Sequence, residues 1–389
     1  MFAPETQHLA TDHQGMNEKL RNLRWCSNCL SMSTRPRITF DSRGFCNACR
    51  WVETKKSIDW TERIGDLQRV LDTHRRSDGR FDCLVPVSGG KDGGYVSHSL
   101  KHRFGMHPLA ITITPPLPLA LGEANLKAFQ RCGYDLITVQ PDYEIMQVLN
   151  KGGFIEKGFP YYGWMTAIHT AVVRMAVHLG IELVFYGEDG EVEYGGSSEN
   201  AHAPGLTAEY IKRAWLEGDT ERVYAHLGSR CNQAYFFTWP SDDELKEHRV
   251  RQYSWSYFEN WDPYLNYLVA KEHCGLREAE GSNSGTFTNF AQNDQGLYAL
   301  HTYLMYLKFG FGRANQDACI EVRRGAMDRQ QAVNLVRLYD GQYPDEFMDE
   351  YLDYYEMTHE EFDSVLDRYV DRDLFEKVDG RWSPRFVVQ

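Results

Sequence analysis

Phe81-Asp-Cys-Leu-Val-Pro-Val-Ser-Gly-Gly-Lys-Asp-Gly-Gly94 decides the fold. An apolar run of strand length, Phe81 to Val87, stops against a glycine-rich loop, and helical spacing resumes from Tyr95 to Phe104. Strand, tight loop and helix in immediate succession make the first half of a βαβ unit. The alternation then continues: a strand over Pro108 to Thr114, a helix over Leu121 to Cys132, a strand over Asp135 to Val139. A long Ala- and Val-rich helix over Met165 to Leu179 leads into the strand Leu183-Val-Phe-Tyr186. Such spacing predicts right-handed crossovers and an α/β fold with a doubly wound parallel sheet. Ligands of these sheets bind beyond the carboxyl ends of the strands, so the loops after Val87, Thr114 and Tyr186 are the expected site.

The loop Ser88-Gly89-Gly90-Lys91-Asp92-Gly93-Gly94 has the chemistry of a phosphate cradle. Glycines let backbone N–H groups approach an anion with no Cβ in the way. The amides opening the next helix point at the anion, and the helix dipole favours its charge. Ser88 supplies a hydroxyl, Lys91 offsets charge, and Asp92 helps hold a magnesium ion. The loop matches neither G-x-x-x-x-G-K-[ST] nor G-x-G-x-x-G. Ser-Gly-Gly-x-Asp instead resembles the pyrophosphate loop of the PP-loop ATP-pyrophosphatases. That resemblance implies an adenine nucleotide alpha hydrolase-like sheet and cleavage of ATP to AMP and pyrophosphate. Gly93 stands where that pattern usually has Ser, so one hydroxyl contact is missing or comes from elsewhere. The expected ATP contacts are Pro86, Val87, Ser88, Gly89, Gly90, Lys91, Asp92, Gly93, Thr112 and Gly187.

Ahead of the sheet, Cys26-Ser-Asn-Cys29 and Cys46-Asn-Ala-Cys49 form two C-x-x-C knuckles separated by 16 residues. That spacing suits a tetrahedral Zn²⁺ held by four thiolates, and a site filled by sulfur leaves no place for water, so the expected role is structural. The alternatives are a disulfide pair and a redox or iron–sulfur site. The remaining cysteines (Cys83, Cys132, Cys231, Cys274, Cys319) lack such spacing and read as core residues or isolated thiols. Beyond Tyr186, the stretch Gly187-Glu188-Asp189-Gly190-Glu191-Val192-Glu193 places four carboxylates past a strand end. They read as magnesium ligands or as groups orienting an incoming amine, against the alternative of a solvated acidic turn; Lys91, Asp92, Glu188, Asp189 and Glu191 are the catalytic candidates. Further on, Gly310-Phe-Gly-Arg313-Ala-Asn-Gln-Asp317 and Arg323-Arg324-Gly325 put basic groups beside glycine, where the arginine fork suits a phosphate or a sugar carboxylate. Arg313, Asp317, Arg323 and Arg324 are the substrate-binding candidates, with a surface ion-pair cluster as the competing reading. His169, on an apolar helix, reads as a core residue rather than a catalytic one.

The bulk properties bound the rest. A net charge of -13 argues against a general nucleic-acid binder, which needs basic stripes. No apolar run approaches the roughly 18 residues of a membrane helix. The first 21 residues lack the apolar core of a secretion signal, so a cytoplasmic enzyme without membrane insertion is expected. The organisation reads as an arm over 1–23, a zinc-knuckle segment over 24–55 and an ATP-binding α/β domain over 56–200. A region over 201–343 completes the catalytic domain, with helices near Gly296–Phe309 and Asp328–Tyr339, and an acidic Tyr-rich helical tail covers 344–389, helical over Asp345 to Glu376.

Together the paired knuckles, V-S-G-G-K-D-G, Y-G-E-D-G-E, and G-F-G-R-A-N-Q-D followed by R-R-G resemble the N-acetyl sugar amidotransferase family of bacterial surface-polysaccharide synthesis. The likeness runs from about Cys26 to about Tyr343. It implies an enzyme that adenylates the amide oxygen of an N-acetyl group on a nucleotide-linked sugar and substitutes ammonia, giving an acetamidino group. The kind of member it most resembles acts on a 2,3-diacetamido mannuronic acid unit of an O antigen. No cysteine sits on a G-x-C-x-G elbow, and Phe2 rather than Cys follows Met1, so neither common glutaminase nucleophile is present. A separate glutaminase subunit is therefore the expected ammonia source. Three rival readings are a PP-loop tRNA-thiolating enzyme, a ligase for a free metabolite, and a zinc module joined to a nucleotide sensor.

Overall fold

The computed structural model describes residues 18–389. Most of the expected arm, residues 1–17, lies outside that range. Its end does not: Glu18–Arg21 forms a helical turn that buries Leu20 in the main core.

Five parallel strands form one sheet: β1 (Cys83–Pro86), β2 (Pro108–Ile113), β3 (Asp135–Val139), β4 (Leu183–Tyr186) and β5 (Arg251–Ser254), in the order β3-β2-β1-β4-β5. The first four are the strands the alternation predicts. Side chains leave a strand alternately to its two faces, and here both faces are covered. Leu84, Leu109, Ile111, Ile113 and Val184 enter one core; Cys83, Val85, Ala110, Leu183 and Phe185 enter the other. The first core takes the helices Tyr143–Lys157, Tyr162–Leu179 and Leu297–Phe309, and the second takes Trp60–His74, Lys91–His98 and Pro263–His273. Strand order reverses between β1 and β4, the crevice where doubly wound sheets bind ligands.

Several local features differ from the sequence expectation. The helix after the loop begins at Lys91 and passes at Ser99 into a π-helical turn ending at Arg103. The helix predicted from Met165 starts at Tyr162 and ends where Gly180 takes a left-handed φ of 62°. His169 lies on it, 1% exposed, and burial pushes its imidazole down to about 3, so it is neutral. The helices near 296–309 and 328–339 are observed at Leu297–Phe309 and Arg329–Tyr339. The tail is helical over Met348–Tyr355 and His359–Tyr369, but then turns into an antiparallel hairpin, Phe375–Val378 with Arg381–Pro384. Its tyrosines are buried rather than marginal. Tyr351 donates to the Gly296 carbonyl at 2.7 Å and Tyr355 to that of Pro160 at 2.6 Å, which ties the tail into the main core.

Candidate active site

The loop after β1 is shaped by contacts on both sides. Gly89 has a φ of +80°, and a Cβ there would lie 2.8 Å from the Leu126 nitrogen on the helix Ala120–Arg131. Glycine thus serves both the left-handed turn and the close approach. Gly90 caps the helix that Lys91 opens, so the first helical amides face the loop. Gly93 answers a question the sequence left open: a Cβ at that position would stand 2.7 Å from the Pro86 carbonyl oxygen. The serine of the usual pattern does not fit against this strand. Lys91 is buried and pairs with the neighbouring Asp92, whose other oxygen accepts from the Asn266 amide at 3.1 Å.

A cleft of about 680 Å³ opens over these residues, a volume typical of small-molecule sites. Every expected ATP contact lines it: Pro86 through Gly93 on one wall, Thr112 at the end of β2 and Gly187 beyond β4. Glu188 and Arg313 line it as well, which brings the start of the acidic loop and one of the four substrate-binding candidates to the phosphate loop. A second wall is aromatic, built from Tyr161, Trp164, Tyr186 and Tyr298, with Asp294 beside them. Trp164 is fixed there by donating its indole N–H to the Ile113 carbonyl at 3.1 Å. Burial, reinforced by the charge of Asp92, holds the Glu188 carboxyl above the usual range, although Lys91 and the Tyr194 hydroxyl at 2.6 Å draw it back. Burial likewise pushes Asp294 up to about 7.

The rest of the acidic loop turns away from the cleft, and the expectation for it is corrected here. Asp189 caps the short helix Gly190–Tyr194, accepting from the Glu191 N–H at 3.0 Å, and receives the Tyr210 O–H at 3.0 Å. Glu191 is held by Arg37 through two 2.7 Å hydrogen bonds and accepts the Ser197 N–H at 2.7 Å. Glu193 pairs with Lys55 at 2.5 Å and accepts from the Trp51 indole at 2.9 Å. Glu191 and Glu193 therefore pin the cysteine segment to the loop after β4, Asp189 caps its own helix and holds Tyr210, and Glu188 alone of the four lines the cleft.

The basic candidates also divide. Arg313 pairs with Asp317 at 2.8 Å one helical turn on. Asp317 is buried away from the cleft and accepts from the hydroxyls of Thr286 and Thr288 at 2.6 and 3.2 Å. Arg323 and Arg324 line a second cavity of about 400 Å³ between the cysteine segment and the loop before the helix Pro263–His273. Arg324 is paired there with Glu321 at 2.5 Å and Asp262 at 3.3 Å.

Cys26, Cys29, Cys46 and Cys49 are all buried, with their sulfurs within 4.8 Å of one another. Cys26 and Cys49 stand 3.7 Å apart, and Cys29 and Cys46 3.6 Å. A disulfide would bring a pair to about 2.05 Å. Thiolates at about 2.3 Å from one tetrahedral ion lie roughly 3.8 Å apart, so the donor set fits a single metal ion. Outer contacts orient the sulfurs: the Cys46 N–H reaches Cys26 at 3.2 Å, the Asn28 amide Cys49 at 3.3 Å, and the Arg323 guanidinium Cys29 at 3.5 Å. Cys319, one of the cysteines read as core residues or isolated thiols, is a core residue: it packs in the same cluster and accepts from Ser31 at 3.5 Å.

Sequence reading missed Asn266, Tyr194, Asp294 and Tyr298. Asn266, Asp294 and Tyr298 reach the site from distant segments and carry no local motif, whereas Tyr194 closes the short helix that follows the acidic loop.

Residues 284–386 match the family model described as LPS biosynthesis protein WbpG-like, C-terminal domain. That match supports the N-acetyl sugar amidotransferase family to which the motifs point, and it connects the C-terminal region with lipopolysaccharide biosynthesis. An uncharacterized protein of Methanocaldococcus jannaschii is 25% identical over 89 residues, which cover 23% of this chain and 32% of that one. The chain thus spans about a third of the length of this curated relative. Among solved structures, the U34-tRNA thiolase NcsA from Methanococcus maripaludis, with its 4Fe-4S cluster, is similar at 13% identity. The alignment covers 68% of this chain and 78% of that one with a TM-score of 0.31, too remote to bear on function.

Proposed function

We propose that this chain, of the N-acetyl sugar amidotransferase family within the PP-loop superfamily, adenylates an N-acetyl group and replaces its oxygen with ammonia. The substrate is a nucleotide-linked, UDP-type 2,3-diacetamido-2,3-dideoxy uronic acid, and the setting is cytoplasmic synthesis of the lipopolysaccharide O antigen. The observation that carries this reading is one cleft lined by the phosphate loop, Glu188 and Arg313, in a chain whose C-terminal region matches a lipopolysaccharide-biosynthesis model.

ATP lies with its phosphates on Ser88 to Gly93 and the helix start at Lys91. The amide oxygen of the acetamido group attacks the α-phosphorus, the bond to the bridging oxygen breaks, and pyrophosphate leaves. Oxide alone is a poor leaving group; AMP is a good one. Ammonia then adds to the imidate carbon, the C–O bond breaks, AMP departs, and the nitrogen loses a proton to give the acetamidino group. Lys91 and the helix amides stabilise charge developing on the departing pyrophosphate, and they are oriented before the reaction begins. Glu188, with its raised pKa, is suited to accept the proton from nitrogen. The carboxylate of Asp92 would help hold the magnesium of ATP, which would offset phosphate charge. Arg313, at the aromatic wall, suits the uronate carboxylate.

The four cysteines would bind Zn²⁺ as a structural ion, since no ligand position is left for water. Ammonia would come from a separate glutaminase subunit. A tRNA-thiolating activity is the alternative; it calls for a reactive cysteine at the nucleotide, and no cysteine lines the cleft among the described residues. No helix of the described residues is long and apolar enough to cross a membrane.

The test is pyrophosphate release from ATP with ammonium chloride, with and without the UDP-linked diacetamido uronic acid. We expect sugar-dependent release and a product lighter by about one mass unit, as oxygen is exchanged for NH. Release that depends on tRNA instead of the sugar would overturn the assignment.

A further inference from the structure

The second cavity is left unused by the adenylation chemistry, yet basic groups outnumber acidic ones in its lining although the chain is acidic overall. Of its charged lining residues, Lys55, Lys56, Arg323 and Arg324 are basic, and Glu193 and Asp262 are acidic. Lys55 is neutralised by Glu193, but Lys56 is exposed and forms no ion pair among the described residues. Arg323 has no carboxylate partner there either. Its guanidinium donates to the Cys29 sulfur and the Glu193 carbonyl, which leaves three of its five N–H groups for another acceptor. Arg324 shares its charge between two half-buried carboxylates and can turn one of its edges to a phosphate.

The remaining wall is aromatic. Trp60 and Trp261 both line the cavity, and the Trp261 indole N–H is buried without an acceptor. Flat indoles beside the unpaired Lys56 ammonium and the free N–H groups of Arg323 suit a nucleoside diphosphate, since a base stacks on the ring while the phosphates meet the donors. Tyr194 lines both spaces, with its hydroxyl on Glu188.

We propose that this cavity binds the nucleoside diphosphate portion of the sugar-nucleotide substrate. Lys56, Arg323 and Arg324 would meet the diphosphate and the two tryptophans the base, leaving the sugar beside Tyr194 and the cleft. The assignment rests on the nucleotide-sugar reading above, and its test is therefore a binding measurement independent of turnover.

UDP, GDP and dTDP are titrated calorimetrically into the full chain with the ATP cleft saturated by an α,β-methylene ATP analogue. We expect one of them to bind with one-to-one stoichiometry. Lys56→Ala and Arg324→Ala should each weaken that binding about tenfold, while the affinity for the ATP analogue stays within about twofold of wild type. Lys56 is exposed, so its variant tests the site without endangering the fold. If no diphosphate binds once the cleft is filled, or if both variants bind like wild type, the site is refuted. Diphosphate binding with these losses, in a protein that releases no pyrophosphate with the sugar, would sustain the site and overturn the reaction.

Discussion

At the scale of single residues, Lys91 and Asp294 make opposite cases about buried charge. Lys91 is 8% exposed and survives there because Asp92 pairs with it and Asn266 steadies that carboxylate. Its ammonium is positioned to stabilise charge that grows only in the transition state. Lys91→Ala should therefore cut sugar-dependent pyrophosphate release by about 10²-fold or more, while the melting curve remains cooperative. Wild-type turnover in that variant would sink the phosphate-loop mechanism. Among the described residues Asp294 has no cationic partner within ion-pair distance, and burial raises its pKa to about 7. The folded protein keeps this proton where the unfolded chain has already lost it. Between pH 4 and 7 the unfolded state thus binds fewer protons, and stability contributed by Asp294 falls as pH rises through that window. Asp294→Asn should remove the loss. Its melting temperature, measured against wild type, should gain as pH increases from 4 to 7, and a difference independent of pH would refute the buried-acid account.

At the scale of elements, legibility followed the range of the interactions. The β1 strand and its loop were readable because an apolar run and a glycine cluster are local signals. The two C-x-x-C knuckles were readable for the same reason. Arg313 and Asp317 were flagged as neighbours in sequence, and helical spacing does bring them together at 2.8 Å. By contrast β5, Arg251-Gln-Tyr-Ser254, is four residues long with three of them polar, and its place is set by main-chain pairing with β4. The acidic loop was misread because composition does not give direction: the residue that caps a short helix and the residue before it point to different places. Asn266 reaches Asp92 across 174 positions, which no pattern along the chain reveals. Gly93 shows the same limit from the other side, since its departure from the usual serine is explained only by the strand beneath it. Gly93→Ser should force the loop off β1, costing about 1–3 kcal/mol by overpacking and weakening ATP-analogue binding. A serine variant with unchanged stability and tighter nucleotide binding would show that the strand yields and that the missing hydroxyl was the real deficit.

At the scale of the whole molecule, the cysteine segment works as a clamp. Its sulfurs share a buried cluster with Cys319, Val333 and Val336, which belong to the helices Arg313–Arg323 and Arg329–Tyr339. Arg323 joins the thiolates to the wall of the second cavity, and Glu191 and Glu193 tie the segment to the loop after β4. A metal ion among the four sulfurs would therefore stabilise more than the segment that holds it, because the segment is one wall of the second cavity. Structural zinc contributes on the order of 10 kcal/mol in isolated finger peptides. In a larger protein only the part that unfolds without the ion is exposed to that loss. Purified protein should carry about one zinc per chain by elemental analysis. Cys29→Ser, or prolonged chelation, should lower the melting temperature by roughly 2–5 °C, the shift that a loss of about 2–4 kcal/mol gives in a chain of 389 residues at about 2 cal/mol/K per residue. Because the clamp is remote from the phosphate loop, the damage should fall unevenly: binding in the second cavity should suffer first, and ATP-analogue affinity should change less. Equal loss at both sites would mean that the segment supports the sheet itself, and no loss of stability would mean that the four sulfurs hold no structural ion.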